Sequence, residues 1–279
     1  MTEAFFSYNP MREWQGDAGM ESPLRVDELD QARRPIPGKR VSRRTLFFIL
    51  MAILMLVVVG LGFGKSFFFR PAFNTTPLPA YLVVHGITMT AWFGLFFLQV
   101  ILIRVRRPDI HRTLGLIGIL LAAGVVVTAI IVNLNVIPRA MAAGILERPE
   151  DGLEFVLGSL SSLPPFVILV GLAVAYRRKR DMHKRLMFWS FVWMLGPAFT
   201  NTRPLGRFLD PLVQPYLDFF PADFIWLAAL VGYDWLTLRR IHPATYVPFG
   251  LLFVYFVFVT PWIVTDATLQ GWLLAYLAR

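Results

Sequence analysis

From about Thr45 onward the chain alternates between long apolar runs and short polar breaks crowded with arginine. A hydrocarbon core about 30 Å thick takes roughly 20 apolar residues per helix. Seven runs approach or reach that length, at about 45–64, 80–105, 113–136, 155–176, 186–200, 223–238 and 245–264. The pattern predicts an all-α fold, a polytopic membrane helix bundle of about seven transmembrane helices. Its clearest part is YLVVHGITMTAWFGLFFLQVILIRV, then RRPDIHRTLG, then LIGILLAAGVVV. Two bilayer-length runs there flank a hinge so short and basic that it reads as a hairpin tip at a membrane surface.

Polar positions inside the runs refine this outline. His85, Thr88, Trp92 and Gln99 fall close to one helical face at three-, four- and seven-residue steps. Such a stripe is expected to face the bundle interior, where Thr and Gln can bond neighbouring helices. The third run leads into a loop, Pro138 to Glu154, that carries Glu147, Glu150 and Asp151. The fourth run holds Ser159, Ser161 and Ser162 beside Pro164-Pro165. A kink is expected there, with hydroxyls compensating freed carbonyls. Residues 201–222 read as an outer loop with Arg203, Arg207, Asp210 and Asp218. The final TLQGWLLAYLAR reads as an amphipathic segment along the outer surface. Residues 1–44 show no sustained period and no signal-peptide pattern, and are expected to be a mostly disordered cytoplasmic tail ahead of a membrane domain, 45–279.

Charge orients the bundle. The chain carries 27 Lys and Arg, and 20 of them fall in the tail and the three tips that the outline puts on the tail's side. Short basic loops stay cytoplasmic, so the N-terminus is expected inside and the C-terminus outside. The net charge of +9 therefore reflects topology and anionic headgroups rather than nucleic acid. With no cysteine, disulfides and thiolate metal sites are excluded. No G-x-S-x-G, H-E-x-x-H, G-x-G-x-x-G or P-loop occurs, so an enzyme is less expected than a binding protein.

The first two tips repeat one pattern, Asp109-Ile110-His111-Arg112-Thr113-Leu114 and Asp181-Met182-His183-Lys184-Arg185-Leu186. The third, Arg239-Arg240-Ile241-His242-Pro243, keeps the basic residues and the histidine but lacks the Asp frame. Asp ahead of a helix can cap its free N–H groups, so a helix start in a headgroup layer explains the pattern. Alternatively the histidines converge on a metal, a haem or a charged ligand. Headgroup or ligand candidates are Arg107, Asp109, His111, Arg112, Asp181, His183, Lys184, Arg185, Asp234, Arg240 and His242. Asp234, five residues before Arg239, can pair with a basic tip or serve in a proton relay.

His85-Gly86, Trp92, Gln99, His111-Arg112 with Leu114-Gly115, His183-Lys184-Arg185-Leu186-Met187, Tyr233-Asp234 and Arg239-Arg240 with His242-Pro243 recur together in a known pattern. The chain thus resembles, over roughly residues 60–265, a group of bacterial predicted integral membrane proteins of unknown function. That resemblance implies a bacterial inner-membrane location and no particular activity.

The first expectation is a multi-pass protein, non-enzymatic and without cofactor, whose basic tips engage phospholipid headgroups or a small ligand. The alternative is a redox or metal-binding protein using His111 and His183, with His242 as a third ligand. Haem b there would need Leu114, Leu186, Met187 and Phe188 to line a slot for the macrocycle. A small-solute transporter is a further alternative, since it would use internal repeats and broken helices. Nucleic acid is not an expected partner, and the sequence indicates no particular protein partner.

Overall fold

A computed structural model describes residues 43–74, 76–201 and 221–278 of the chain. The expected disordered tail lies almost wholly outside the described residues, as does most of the expected outer loop at 201–222.

Among the described residues every regular element is helical. Helix α1 (Arg43–Phe63) runs into a π turn at Gly64–Phe68 and a single turn at Arg70–Phe73. Helices α2 (Ala80–Arg104) and α3 (Pro108–Leu134) form the most extensive pair. After α4 (Val136–Ala142) and a 3₁₀ turn at Pro149–Gly152 come α5 (Leu153–Ser161) and α6 (Leu163–Ala175). Helix α7 (Arg180–Trp193) folds back on α6, and α8 (Gly196–Asn201) packs against α1. Helix α9 (Pro221–Leu238) precedes α10 (Pro243–Val254), a π turn at Tyr255–Val259, α11 (Thr260–Thr265) and α12 (Ala267–Leu277).

Among the described residues five helical stretches are long and apolar enough to cross a bilayer: Leu46–Phe68, Ala80–Arg104, Pro108–Ala142, Pro149–Ala175 and Pro243–Thr265. Ile225–Leu238 is a shorter apolar helix. Leu61, Leu116, Leu120 and Leu236 point outward, far more exposed than large aliphatic side chains in water-soluble folds would be. Facing lipid, that surface needs no cover. The molecule is a multi-pass helical membrane bundle.

The least apolar of the candidate spans is the most enclosed. On α7 Arg185, Leu186 and every residue from Phe188 to Trp193 are buried. Phe191 stacks on Trp92 and on Phe96 of α2, each at 4.3 Å between ring centroids. Longer helices shield α7 from lipid, so it can be short and can carry polar side chains. Next to it, α1 meets α8 almost backbone to backbone. A Cβ on Gly62 would lie 2.4 Å from the Ala198 carbonyl oxygen.

Several local expectations shift. His111 and Arg112 belong to the first turns of α3, so the hinge is only Val105–Arg107. The stretch expected as a loop from Pro138 to Glu154 includes most of α4 and the start of α5, because Val136–Ala142 pairs an apolar Ile137 with a second small core around Leu153, Val156 and Leu273. The fourth run breaks at Ser162, ahead of Pro164-Pro165. There the Ser161 and Ser162 hydroxyls donate to Gly158 and Ser159 carbonyls, and the Trp193 indole N–H donates to the Ser162 carbonyl at 2.9 Å. Helix α12 starts with Asp266 accepting from the Leu269 N–H.

Candidate functional site at the basic tips

The three tips meet. The tightest contact is an ion pair between Arg185 in the first half of α7 and Asp234 near the end of α9, 1% and 0% exposed. Charges this deep need full pairing, because losing water costs each ion several kcal/mol. The pairing is complete. Arg185 Nε and Nη2 both donate to Asp234 Oδ1, the former at 3.0 Å. Arg185 Nη1 donates to the Asp181 carbonyl at 3.0 Å. The other carboxylate oxygen, Asp234 Oδ2, accepts from the Thr245 hydroxyl at 2.6 Å and the His242 N–H at 2.9 Å.

Aromatic and charged groups close over this core. Lys184 pairs with Asp181 and lies 5.5 Å from the Phe48 ring and 5.7 Å from the Tyr233 ring. Arg185 lies 5.6 Å from Tyr233, which also stacks on Phe47 at 4.4 Å and meets Phe48 edge-on at 5.3 Å. The hydrogen bond from Lys184, with the charges of Lys184 and Arg185 behind it, holds the Asp181 carboxyl below its ordinary range. His242 is pushed down as well, chiefly by burial and then by the Arg185 charge. Its Nδ1 accepts from the Ala244 N–H at 3.0 Å and so caps α10.

This corrects the capping role expected for the repeated Asp. Neither Asp109 nor Asp181 caps its helix. Both sit inside the first turn, where a cation is within reach: Asp109 binds Arg107 at 3.1 Å, and Asp181 binds Lys184. The tip without an Asp is the one whose histidine caps.

A second contact joins the first two tips. The His111 and His183 rings lie 6.2 Å apart, nearly perpendicular. Ring nitrogen Nδ1 of His183 is 2.8 Å from the Ala173 carbonyl oxygen. That oxygen only accepts, so Nδ1 carries a proton and donates it, which leaves Nε2 as the nitrogen facing away from this bond. Gln99 Nε2 donates to the His111 carbonyl at 3.2 Å. Gln99 Oε1 and His111 Nδ1 are buried and have no hydrogen-bond partner among the described residues. No group of three or more His, Cys, Asp or Glu arranged for a metal occurs among the described residues. His242 belongs to the α9–α10 tip and its Nδ1 is engaged. Of the residues expected to line a haem slot, Leu186 and Phe188 are fully buried and Leu114 and Met187 are half-buried.

The stripe on α2 turns toward its neighbours. Near the other end of α2, His85 Nδ1 lies 3.0 Å from Thr128 Oγ1, whose own proton goes to the Gly124 carbonyl at 2.8 Å. His85 is therefore the donor in that pair. The Thr88 hydroxyl bonds within its own helix at Val84, and Trp92 fills the core with its indole N–H unpartnered. The exposed tip candidates are Arg107, Asp109, Arg112, Asp181 and Arg240. Thr245 is the residue that sequence reasoning missed. A hydroxyl three positions beyond His242, at the start of an apolar run, was the available signal.

No protein-family model, no curated protein and no solved structure matches this chain. Fold and site therefore define the class alone, a multi-pass helical membrane protein with a buried ion pair joining basic hairpin tips.

Proposed function

We propose that the chain is a seven-span protein of a bacterial inner membrane, its N-terminus and basic tips cytoplasmic, and that these tips form a cationic platform for anionic phospholipid headgroups. Membership of the bacterial group it resembles is part of this reading. The single observation that carries it is the division of labour among the tip cations. Lys184 and Arg185 turn inward to Asp181 and Asp234, while Arg106, Arg112, Arg177, Arg178, Arg239 and Arg240 stay exposed. The Arg185–Asp234 pair locks the second tip to the third, the His111–His183 contact sets the first beside them, and the outward arginines then present one field of charge. Each basic residue near an anionic leaflet contributes about 1 kcal/mol.

The backbone supports the same reading. Arg106 and Arg239 have φ of 60° and 56°, in the left-handed region that favours glycine. A side chain there costs roughly 1–2 kcal/mol, so arginine at both turns accepts strain in order to carry charge.

The test is thermal melting of purified protein in nanodiscs of phosphatidylglycerol or phosphatidylcholine. Stabilisation by the anionic lipid that fades with added salt is the expected result. Equal melting in both lipids at low salt would refute the platform.

A further inference from the structure

The geometry points to a site for a divalent first-row transition-metal ion between His111 and His183, distinct from the lipid platform. Two imidazoles that bind one ion from opposite sides through ~2 Å metal–nitrogen bonds have ring centres about 6 Å apart, once about 1.1 Å from nitrogen to ring centre is added on each side, against about 5 Å at a tetrahedral angle. The observed separation is 6.2 Å.

The hydrogen bonding prepares both ligands. Ligating histidines commonly donate their second ring N–H to a carbonyl, which fixes the tautomer, and His183 does this through Nδ1 to Ala173. On the other ring Nδ1 of His111 is buried with no partner among the described residues. Gln99, anchored by Nε2 to the His111 carbonyl, has an equally unpartnered Oε1. Unused acceptors beside two imidazoles suit a Lewis acid and would repel an anion. Nearby charges permit a cation, since Arg107 is paired with Asp109, Lys184 and Arg185 are paired with Asp181 and Asp234, and Arg112, whose charge reaches His111, is exposed and screened by solvent. Only two side-chain imidazoles are supplied, so Gln99 Oε1 or water completes the shell, and copper is bound more tightly than zinc. The full burial of Leu186 and Phe188 favours a bare ion over a haem iron. Bound there, the ion ties the α2–α3 hairpin to the α6–α7 hairpin.

The experiment uses full-length protein in detergent, purified without a polyhistidine tag, stripped with chelator and titrated with CuCl₂ or ZnCl₂. One equivalent of Cu²⁺ should bind saturably, and pulsed electron paramagnetic resonance of the loaded parent should count two imidazole nitrogens. His111→Ala and His183→Ala should each weaken binding at least tenfold, whereas His85→Ala and His242→Asn should leave it unchanged. The parent spectrum answers the question even where a variant fails to fold. One imidazole or none in that spectrum, unchanged binding in both alanine variants, or a Soret band in untreated protein that needs both histidines would overturn the proposal.

Discussion

Replacing Asp234 with alanine is the sharpest test of how the tips are held together. The change leaves Arg185, 1% exposed, without its counter-charge. Breaking a buried pair from one side costs about 3–5 kcal/mol. The Thr245 hydroxyl and the His242 N–H lose their acceptor in the same step, each a loss of about 1 kcal/mol or more. These terms overlap, so a destabilisation of at least about 3 kcal/mol is expected. A double change, Arg185→Met with Asp234→Leu, removes both charges and should recover the ion-pair share while leaving the two orphaned donors, a residual of about 2 kcal/mol. Unfolding by SDS titration in mixed micelles, followed by tryptophan fluorescence, measures both. If Asp234→Ala unfolds at the same SDS fraction as the parent, the ion pair does not hold the tips. If the double variant is as damaged as the single one, the cost is not that of a stranded charge.

Three further outcomes follow from the structure. His242 has its pKa lowered from the ordinary 6.5, so between that value and its depressed one the unfolded chain binds more protons. This contribution is complete above about pH 6.5 and is lost as pH falls below it. His242→Asn, which can still cap α10, should lose less stability than the parent between pH 7.5 and 5.5, and an equal loss would contradict the assignment. Gly62→Ala would put a Cβ against the Ala198 backbone. Overpacking of this kind costs typically 1–3 kcal/mol, seen as a lowered melting temperature, and an unchanged one would mean that α8 yields freely. Because the chain has no cysteine, single cysteines report topology. At Arg106 or Arg178 they should be shielded from an impermeant thiol reagent in intact cells, and at Glu150 they should react. Labelling at Arg178 without lysis would overturn the seven-span arrangement.

Hydropathy and basic tips were enough to read the helical class, the hairpins and the proline break near Ser162. Asp234 was conspicuous as an acid in an apolar run, and its need for a cation was legible. Its partner was not, because Arg185 lies 49 residues away on another hairpin, and nothing in a run of six Lys and Arg among nine residues marks the one that turns inward. The depth of α7 was hidden for a related reason. Burial by neighbouring helices, unlike burial in lipid, does not require a uniformly apolar sequence. The approach of His111 to His183 depends on how two hairpins pack, which no local pattern encodes. Arginine in the left-handed turns at 106 and 239 was equally invisible, since side-chain type alone argues against that backbone.

Those two turns allow the most direct test of the cationic platform. In the double variant Arg106→Gly with Arg239→Gly, relief of backbone strain and loss of charge pull in opposite directions. In neutral detergent the variant should melt at or above the parent temperature, because glycine takes φ of 60° and 56° without steric cost. Native mass spectrometry of protein extracted from membranes should meanwhile find fewer retained anionic phospholipids than on the parent. Stability held with anionic lipid lost is the predicted result, and anionic lipid retained in full would contradict the account.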